Sequence, residues 1–473
     1  MLKSLPAKLR SPNSFASREN GGRCLRFILV ALAVSLPIAE LGAASPTFNH
    51  DVAPIVYKNC SPCHRPGEAA PFSLLSFEDV SKKGKIIAKV TQSHVMPPWK
   101  AEPASFEYRD NRRLADHDIA ILQEWVGGGM PEGNANEKPT PPHFESGWQL
   151  GEPDLIVEMP TGFHVPADGP DIYRNIPVAL GITEDKWISA IDMKPSTRGV
   201  VHHVLYFGDP NGRAHLRPSQ GGEPGFSGMV AGGATIHLGG WALGAQPHFF
   251  PEGLALHLPK NSDLVVQYHF HPTGKPEVEK SLVGLYFAKK APDRRLTRVM
   301  LPPSYSLFSG LDIPAGEKDF VLRDSYTLPV AMDAIGVGAH AHNIASRMKM
   351  TATFPDGSVK TLLNITDWDF AWQDRYFFKD FVALPKGTKL DVDIHWDNSS
   401  GNVHNLSNPP IRVTWGEESK DEMGAVSVFG VAHEQGDLPM LEESMVARGK
   451  ELARVKMATD PELRKKVLKM LTQ

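Results

Sequence analysis

Cysteine is almost missing from this chain, with three in 473 residues, and two of those stand together at Cys60 and Cys63. So few thiols exclude a disulfide framework, and stability has to come from burial and bound metal. Charge of one sign is missing as well. The formal net charge is −4, with no long acidic or basic run, so nothing asks for a nucleic-acid partner. Long apolar runs are also lacking. The run at 27–36 is broken by Pro37 and Glu40, well short of the ~20 residues a membrane span needs.

Lys3, Lys8, Arg10, Arg18, Arg23 and Arg26 precede that run, and Gly42-Ala43-Ala44 follows it. This is the pattern of a secretory signal with a long charged lead. Residues 1–44 are expected to be a cleaved signal peptide, which makes the protein exported, periplasmic or extracellular, without a membrane span after cleavage. An uncleaved anchor is the alternative reading.

Cys24 falls inside that leader, so Cys60-Ser61-Pro62-Cys63-His64 uses every cysteine of the remaining chain. Cys-x-x-Cys-His is the attachment motif of a c-type haem. The two thiols form thioethers, and His64 is the proximal iron ligand. A distal methionine raises the potential. Met96, in His94-Val95-Met96-Pro97-Pro98-Trp99, is the candidate, because small exported cytochromes c place their axial methionine before prolines. His94 is the alternative ligand, and core packing is what most methionines do.

The length suits about three domains, and a composition of 41% hydrophobic and 22% charged residues supplies large cores. Residues 45–133 read as helical. Ser76 and Asp79 have capping-box spacing before a helix at 77–94. A second helix places Ile119, Leu122 and Val126 on one face, with Asp116 as cap and Gly127–Gly129 as stop. Residues 134–147 are a polar, proline-rich linker. From 148 to 430 short alternating segments are separated by Gly, Pro, Asn and Asp, the pattern of antiparallel β-sandwiches. Two sandwiches are expected, at 148–290 and 291–430, followed by a charged helical tail at 431–473.

With 19 histidines, close neighbours arise by chance, so spacing has to discriminate. Along 264–271, Leu264, Val266, Tyr268 and Phe270 share one strand face, and Gln267, His269 and His271 the other. Gln267 is either a group that orients a ligand or water, or a plain surface amide. His340 and His342 share a face with Gly336 and Gly338, and imidazoles at i and i+2 converge on one metal without bending the strand. His202 and His203 are adjacent and point to opposite faces. Joint ligation there requires a strand end or a bulge; otherwise one packs and the other is solvated. His237, His248, His257, His395 and His404 are read as solvated or satisfied.

The strings at 201–208 (Val-His-His-Val-Leu-Tyr-Phe-Gly), 264–269 (Leu-Val-Val-Gln-Tyr-His), 340–342 (His-Ala-His) and 421–423 (Asp-Glu-Met) match in order and spacing. Over roughly 151–430 the chain resembles the copper type II, ascorbate-dependent monooxygenases, the family of peptidylglycine α-hydroxylating and dopamine β-monooxygenases. The resemblance implies His202, His203 and His269 as ligands of an electron-storing copper. It implies His340, His342 and Met423 as ligands of the copper that meets dioxygen, where a thioether suits Cu(I). It also implies two jelly-roll-like sandwiches with one copper each, facing a solvent-filled cleft. The expected fold is thus multidomain: a small all-α cytochrome c domain, then two all-β jelly-roll-like sandwiches.

The chain departs from that family in three places. It lacks the disulfides of animal members. Gly338 stands where the peptide-hydroxylating members have an arginine, and Ala425 and Ser427 stand where they have asparagine and tyrosine. The carboxylate clamp is therefore missing, and Gly336, Gly338, Ala425 and Ser427 are expected to leave an open wall for a bulkier or less charged substrate.

Together these readings imply a copper monooxygenase carrying haem c and two coppers, an oxidoreductase that hydroxylates a C–H bond of a small organic substrate. It would draw dioxygen and an external electron donor, ascorbate or a redox protein, with the haem passing electrons to copper. Two rivals follow from the same residues. One is a non-catalytic electron-transfer or copper-binding protein with a c-type haem. The other is an interaction module whose histidines are incidental.

Overall fold

Period-two alternation along residues 148–430 has to be buried on one side, and two sheets facing each other do this. The structure is a computed structural model that describes residues 45–472 except 67, 69, 145–146, 198, 229–235 and 243–244. The expected signal peptide lies outside the described residues. Beyond residue 148 the chain folds into β-sandwiches.

In the first sandwich, the strands Ile172–Ala179, Asp263–Phe270, Val201–Asp209 and Ile236–Ala242 form one four-stranded sheet, in that order. In the second, Phe320–Thr327, Lys389–Trp396, Ala345–Thr353 and Val359–Ile365 form another. Both pack against a single eight-stranded sheet that runs through the molecule. Leu254–Leu258 of the first sandwich pairs in parallel with Arg294–Leu301 of the second, through Leu254 with Arg294 and Ala255 with Arg295. The sequence breaks near 290–295, yet there the backbone ladder carries one sandwich into the next.

The first core joins Val157, Ile188 and Leu285 of the long sheet to Val204, Leu264 and Tyr268 of the short one. Full burial of such a side chain contributes about 1.5–3 kcal/mol. The second core joins Val299, Val337 and Val428 to Met350, Val392 and Trp396.

Ahead of the sandwiches lie three α-helices, Ala53–Asn59, Phe77–Gln92 and Asp116–Gly127. Phe48, Val56, Val80, Leu122 and Trp125 bury their contacts with one another. Ser76 Oγ accepts the Asp79 amide at 3.1 Å, which caps the second helix. Asp116 is not the cap of the third. Ala115 holds that place without a side-chain bond, and Asp116 sits in the first turn, where a negative charge favours the helix dipole.

The chain between the second and third helices belongs to the second sandwich. Trp99, Ala101 and Tyr108 are buried in its core. Ala101 bridges Ile365, Tyr108 bridges Phe378, and Tyr108 Oη donates to the Leu362 carbonyl at 2.6 Å. The span 45–133 therefore includes a strap that ties the helices to the β region. The tail forms helices Leu438–Thr459 and Pro461–Thr472, with Leu438 and Leu441 buried. No described helix is long and apolar enough to cross a membrane.

Candidate metal centre

Two neighbouring histidines can face one point only if the strand is irregular between them, and it is. Val201 pairs with Phe270, but the next pair is His203 with His269, so His202 is the extra residue of a bulge. The bulge cancels the opposite facing of His202 and His203. The ring centroids of His202, His203 and His269 are 4.7–5.2 Å apart. His203 Nδ1 lies 3.0 Å from His202 Nδ1 and 3.4 Å from His269 Nδ1. A ligand atom of each lies within 4.8 Å of the others.

Burial pushes His202 down to about 3, reinforced by His269, and burial with the neighbouring histidines also holds His203 well below the ordinary imidazole value. Neutral imidazoles with converging ring nitrogens are the form a metal needs. His269 Nε2 faces Asp171 Oδ2 at 2.8 Å, and the Tyr173 ring stacks on His269 at 4.4 Å. A carboxylate on the far nitrogen fixes the orientation of a metal-binding imidazole. Burial alone would raise Asp171, yet the bonds from His269, His271 and Ser419 hold it well below the carboxylate range.

The second set lies on the strands Met332–Ala341 and Gly424–Ala432 of the long sheet. His340 pairs with Ala425 and Ala341 with Gly424, where the ladder ends; His342 and Met423 are the residues next to that end on the two strands, and Met423 packs in the second core. Met423 is 1% exposed, and the His340 and His342 rings are 5.5 Å apart. His340 donates from Nδ1 to Gln373 Oε1, and its Nε2 is buried without a partner among the described residues. His342 donates from Nδ1 to the Asp421 carbonyl at 3.0 Å. Burial pushes His340 to about 4 and His342 to about 3. Orienting bonds on Nδ1 and an orphaned Nε2 fit a metal ligand.

Glu422 holds this geometry together, and the sequence reading gave it no role. Its carboxylate accepts the amides of His342, Ile344 and Met423 at 3.0, 2.8 and 3.2 Å, and Trp396 Nε1 at 2.9 Å. Burial raises it to about 8 against the pull of those four bonds. The one available signal was its place between two residues already singled out.

The two sets are close. The Phe370 ring is 5.3 Å from His202, 5.8 Å from His269 and 5.6 Å from His342. A single side chain therefore packs against both groups. Beside it a cavity of about 700 Å³ is lined by His203 from one set and His340 from the other. Gln267 is no surface amide: it is 3% exposed, bonds Asn175 Oδ1 at 2.9 Å and lines this cavity. His237, read as solvated or satisfied, also lines it, and burial depresses its pKa strongly.

The expected open wall is only half open. Gly336, Gly338 and His340 share a face with Ala425 and Ser427. A Cβ on Gly338 would stand 3.1 Å from the Phe429 ring and 3.3 Å from Arg375 Cγ. Neighbouring strands have filled the space, one with the Phe429 ring and the other with the methylene stem of Arg375.

Cys60 and Cys63 follow the first helix in one turn and are not joined in a disulfide. The Cys60 thiol is pushed to about 12 by burial and by Cys63. His64 Nδ1 lies 3.3 Å from the Phe72 carbonyl, which leaves Nε2 as the ligand atom. That arrangement fits a proximal haem ligand. Met96 sits in the turn after the second helix, half-buried, with its amide on the Val90 carbonyl at 3.1 Å. It is outside the helical core. The methionine packed on that core is Met130, whose Sδ would be 2.4 Å from a Cβ on Gly84.

No protein-family profile matches the chain, and comparison with curated proteins finds none similar in sequence. Among solved structures, the major capsid protein P2 of bacteriophage PM2 is 10% identical, over 52% of this chain and 99% of that one, with a TM-score of 0.20. The structure of PNGF-II is 10% identical, over 59% of this chain and 65% of that one, with a TM-score of 0.26. The infectious bursal disease virus Gt strain structure is 9% identical, over 59% and 72%, with a TM-score of 0.18.

Proposed function

We propose that this protein is an exported, haem c-linked copper monooxygenase that hydroxylates a C–H bond of a small organic substrate with dioxygen. The observation that carries this reading is one cavity bordered by both sets of imidazoles, with His340 Nε2 buried beside it and unpartnered among the described residues. His202, His203 and His269 would hold one copper, and His340, His342 and Met423 the other. Copper at both sets would supply one-electron exchange and dioxygen reduction, so that a C–H bond, dioxygen, two electrons and two protons yield an alcohol and water.

The chain's own residues prepare that chemistry. Asp171 fixes the His269 ring, while Gln373 and the Asp421 carbonyl fix those of His340 and His342. Glu422 clamps the backbone of His342 to that of Met423. Phe370 packs its ring against His202, His269 and His342. Ligands held in place beforehand need no reorganisation when the chemistry occurs.

Cys60, Cys63 and His64 would hold haem c, with Met96 as the distal donor in an all-α cytochrome c domain. The haem would take electrons from ascorbate or a redox protein and pass them on to copper. The strap that follows Met96 supports this, since Trp99 and Arg112 line the copper cavity. The sandwiches are read as jelly-roll-like copper domains, and residues 1–44 as the export signal.

Metal analysis of the reconstituted protein tests the reading, with two coppers and one haem iron expected per chain. Oxygen uptake that depends on substrate and on copper is the expected activity. Absence of copper after reconstitution overturns the proposal in favour of an interaction module. Copper binding with substrate-independent oxygen uptake favours an electron-transfer protein instead.

A further inference from the structure

The cavity-facing side of the long sheet has an ordered layout. Met300 pairs with Ser427, Ser427 with Gly338, and Gly338 with Arg375, which makes one row across four strands. Two residues along the strand, on the same face, lies the pair His340 and Ala425. At about 3.4 Å per residue and 4.8 Å between strands, Arg375 and His340 start roughly 8 Å apart. The residue facing the cavity beside the His340–His342–Met423 set is therefore a cation.

That cation is poorly neutralised. Arg375 Nη2 donates to the Gly240 carbonyl at 2.6 Å, reaching across to the first sandwich. Among the described residues no carboxylate bonds its guanidinium, and the neighbouring Asp374 pairs with Arg112. Four of its five N–H donors have no acceptor among the described residues. Arg298, which pairs with Phe429 in the adjoining row, also lines the cavity and makes no ion pair among the described residues. Tyr206 lines it too, and its hydroxyl is buried without a partner among the described residues. Phe377, Phe429 and Trp241 supply an apolar wall around these groups.

We propose that this cavity binds an organic acid, with the carboxylate on Arg375, Arg298 alongside it, and the apolar body directed toward His340. The inference rests on the monooxygenase reading for its meaning as a substrate subsite, and it names the substrate class of that site. A guanidinium with unused donors in a partly apolar cavity favours a charge-assisted, bidentate partner over a neutral one. The glycine at 338 is what lets the Arg375 side chain lie across it.

Calorimetric titration of the metal-free protein tests this, with 3-phenylpropionate, 3-phenylpropionamide and 2-phenylethyl phosphate as probes. The acid should bind at least tenfold more tightly than the amide. Arg375→Met should abolish that preference and leave amide affinity within about twofold. Arg298→Met and Tyr206→Phe should each reduce it several-fold. If thermal melting shows that Arg375→Met does not fold, Arg375→Lys carries the test, since an ammonium cannot offer the planar fork and the preference should fall several-fold. Equal binding of acid and amide, no binding of either, or a preference unchanged in the Arg375 variant overturns the proposal. Tighter binding of the phosphate ester overturns the carboxylate assignment. Because no copper is present, a failure of metal loading or oxygen uptake would sink the monooxygenase reading and leave this result intact.

Discussion

Ser419 Oγ lies 3.0 Å from Asp171 Oδ2, the same oxygen that meets His269 Nε2 at 2.8 Å. Asp171 belongs to the first sandwich and Ser419 to the loop that leads into Met423. The Ser419 carbonyl in turn accepts Asn343 Nδ2 at 2.9 Å, next to His342. A short chain of polar contacts thus joins the two histidine sets. Asp171→Asn is expected to weaken copper binding at the His202–His203–His269 set by about 10–100-fold. Ser419→Ala should weaken it less, because the His269 bond survives. Competition titration with a copper chelator measures both.

Removal of the thioether separates metal content from function. Met423→Ala should leave total copper close to two per chain, since His340 and His342 remain, while oxygen uptake falls much more steeply. A soft donor favours Cu(I), so the Cu(I) affinity of that set should drop more than its Cu(II) affinity. Equal loss of both affinities contradicts the assignment of Met423 as a ligand.

Glu422 is the residue whose loss should cost most stability. Glu422→Ala strands four buried donors, at about 1–3 kcal/mol for each that finds no substitute. A loss of about 3–5 kcal/mol is expected from urea unfolding of the metal-free protein. Glu422→Gln keeps one acceptor oxygen and should lose less.

Acid should destabilise the metal-free protein early. His202 and His342 are pushed by burial to about 3, and His340 to about 4, against about 6.5 when unfolded. Between those values the unfolded chain binds more protons, so stability rises with pH. The contribution is fully present above about pH 6.5 and is lost as pH falls toward 4 and below. Melting temperatures across that range test this, and His340→Gln should flatten the slope. Copper should also suppress the slope, because bound imidazoles cannot take up protons.

Local patterns carried much of the organisation. Alternation in 264–271 located a strand whose Leu264, Val266, Tyr268 and Phe270 are all buried on one side. Capping chemistry located the helix that Ser76 begins. The requirement that His202 and His203 need a bulge to act together followed from strand geometry alone, and the pairing has the bulge there. These features depend on periods and on groups a few residues apart, which is why a linear reading reaches them.

Tertiary structure decided what depends on residues far apart in the chain. The parallel pairing at Arg294 fuses two sandwiches that looked separable. The strap holding Trp99 and Tyr108 buries itself in strands more than two hundred residues away. Phe370 against both histidine sets, the partners of Glu422, and Arg375 across from Gly338 come from strand order and register. Composition and spacing fix which residues are able to ligate a metal or form a sheet. Neighbours across a sheet are set by a competition among all possible pairings, and no short window of sequence contains it.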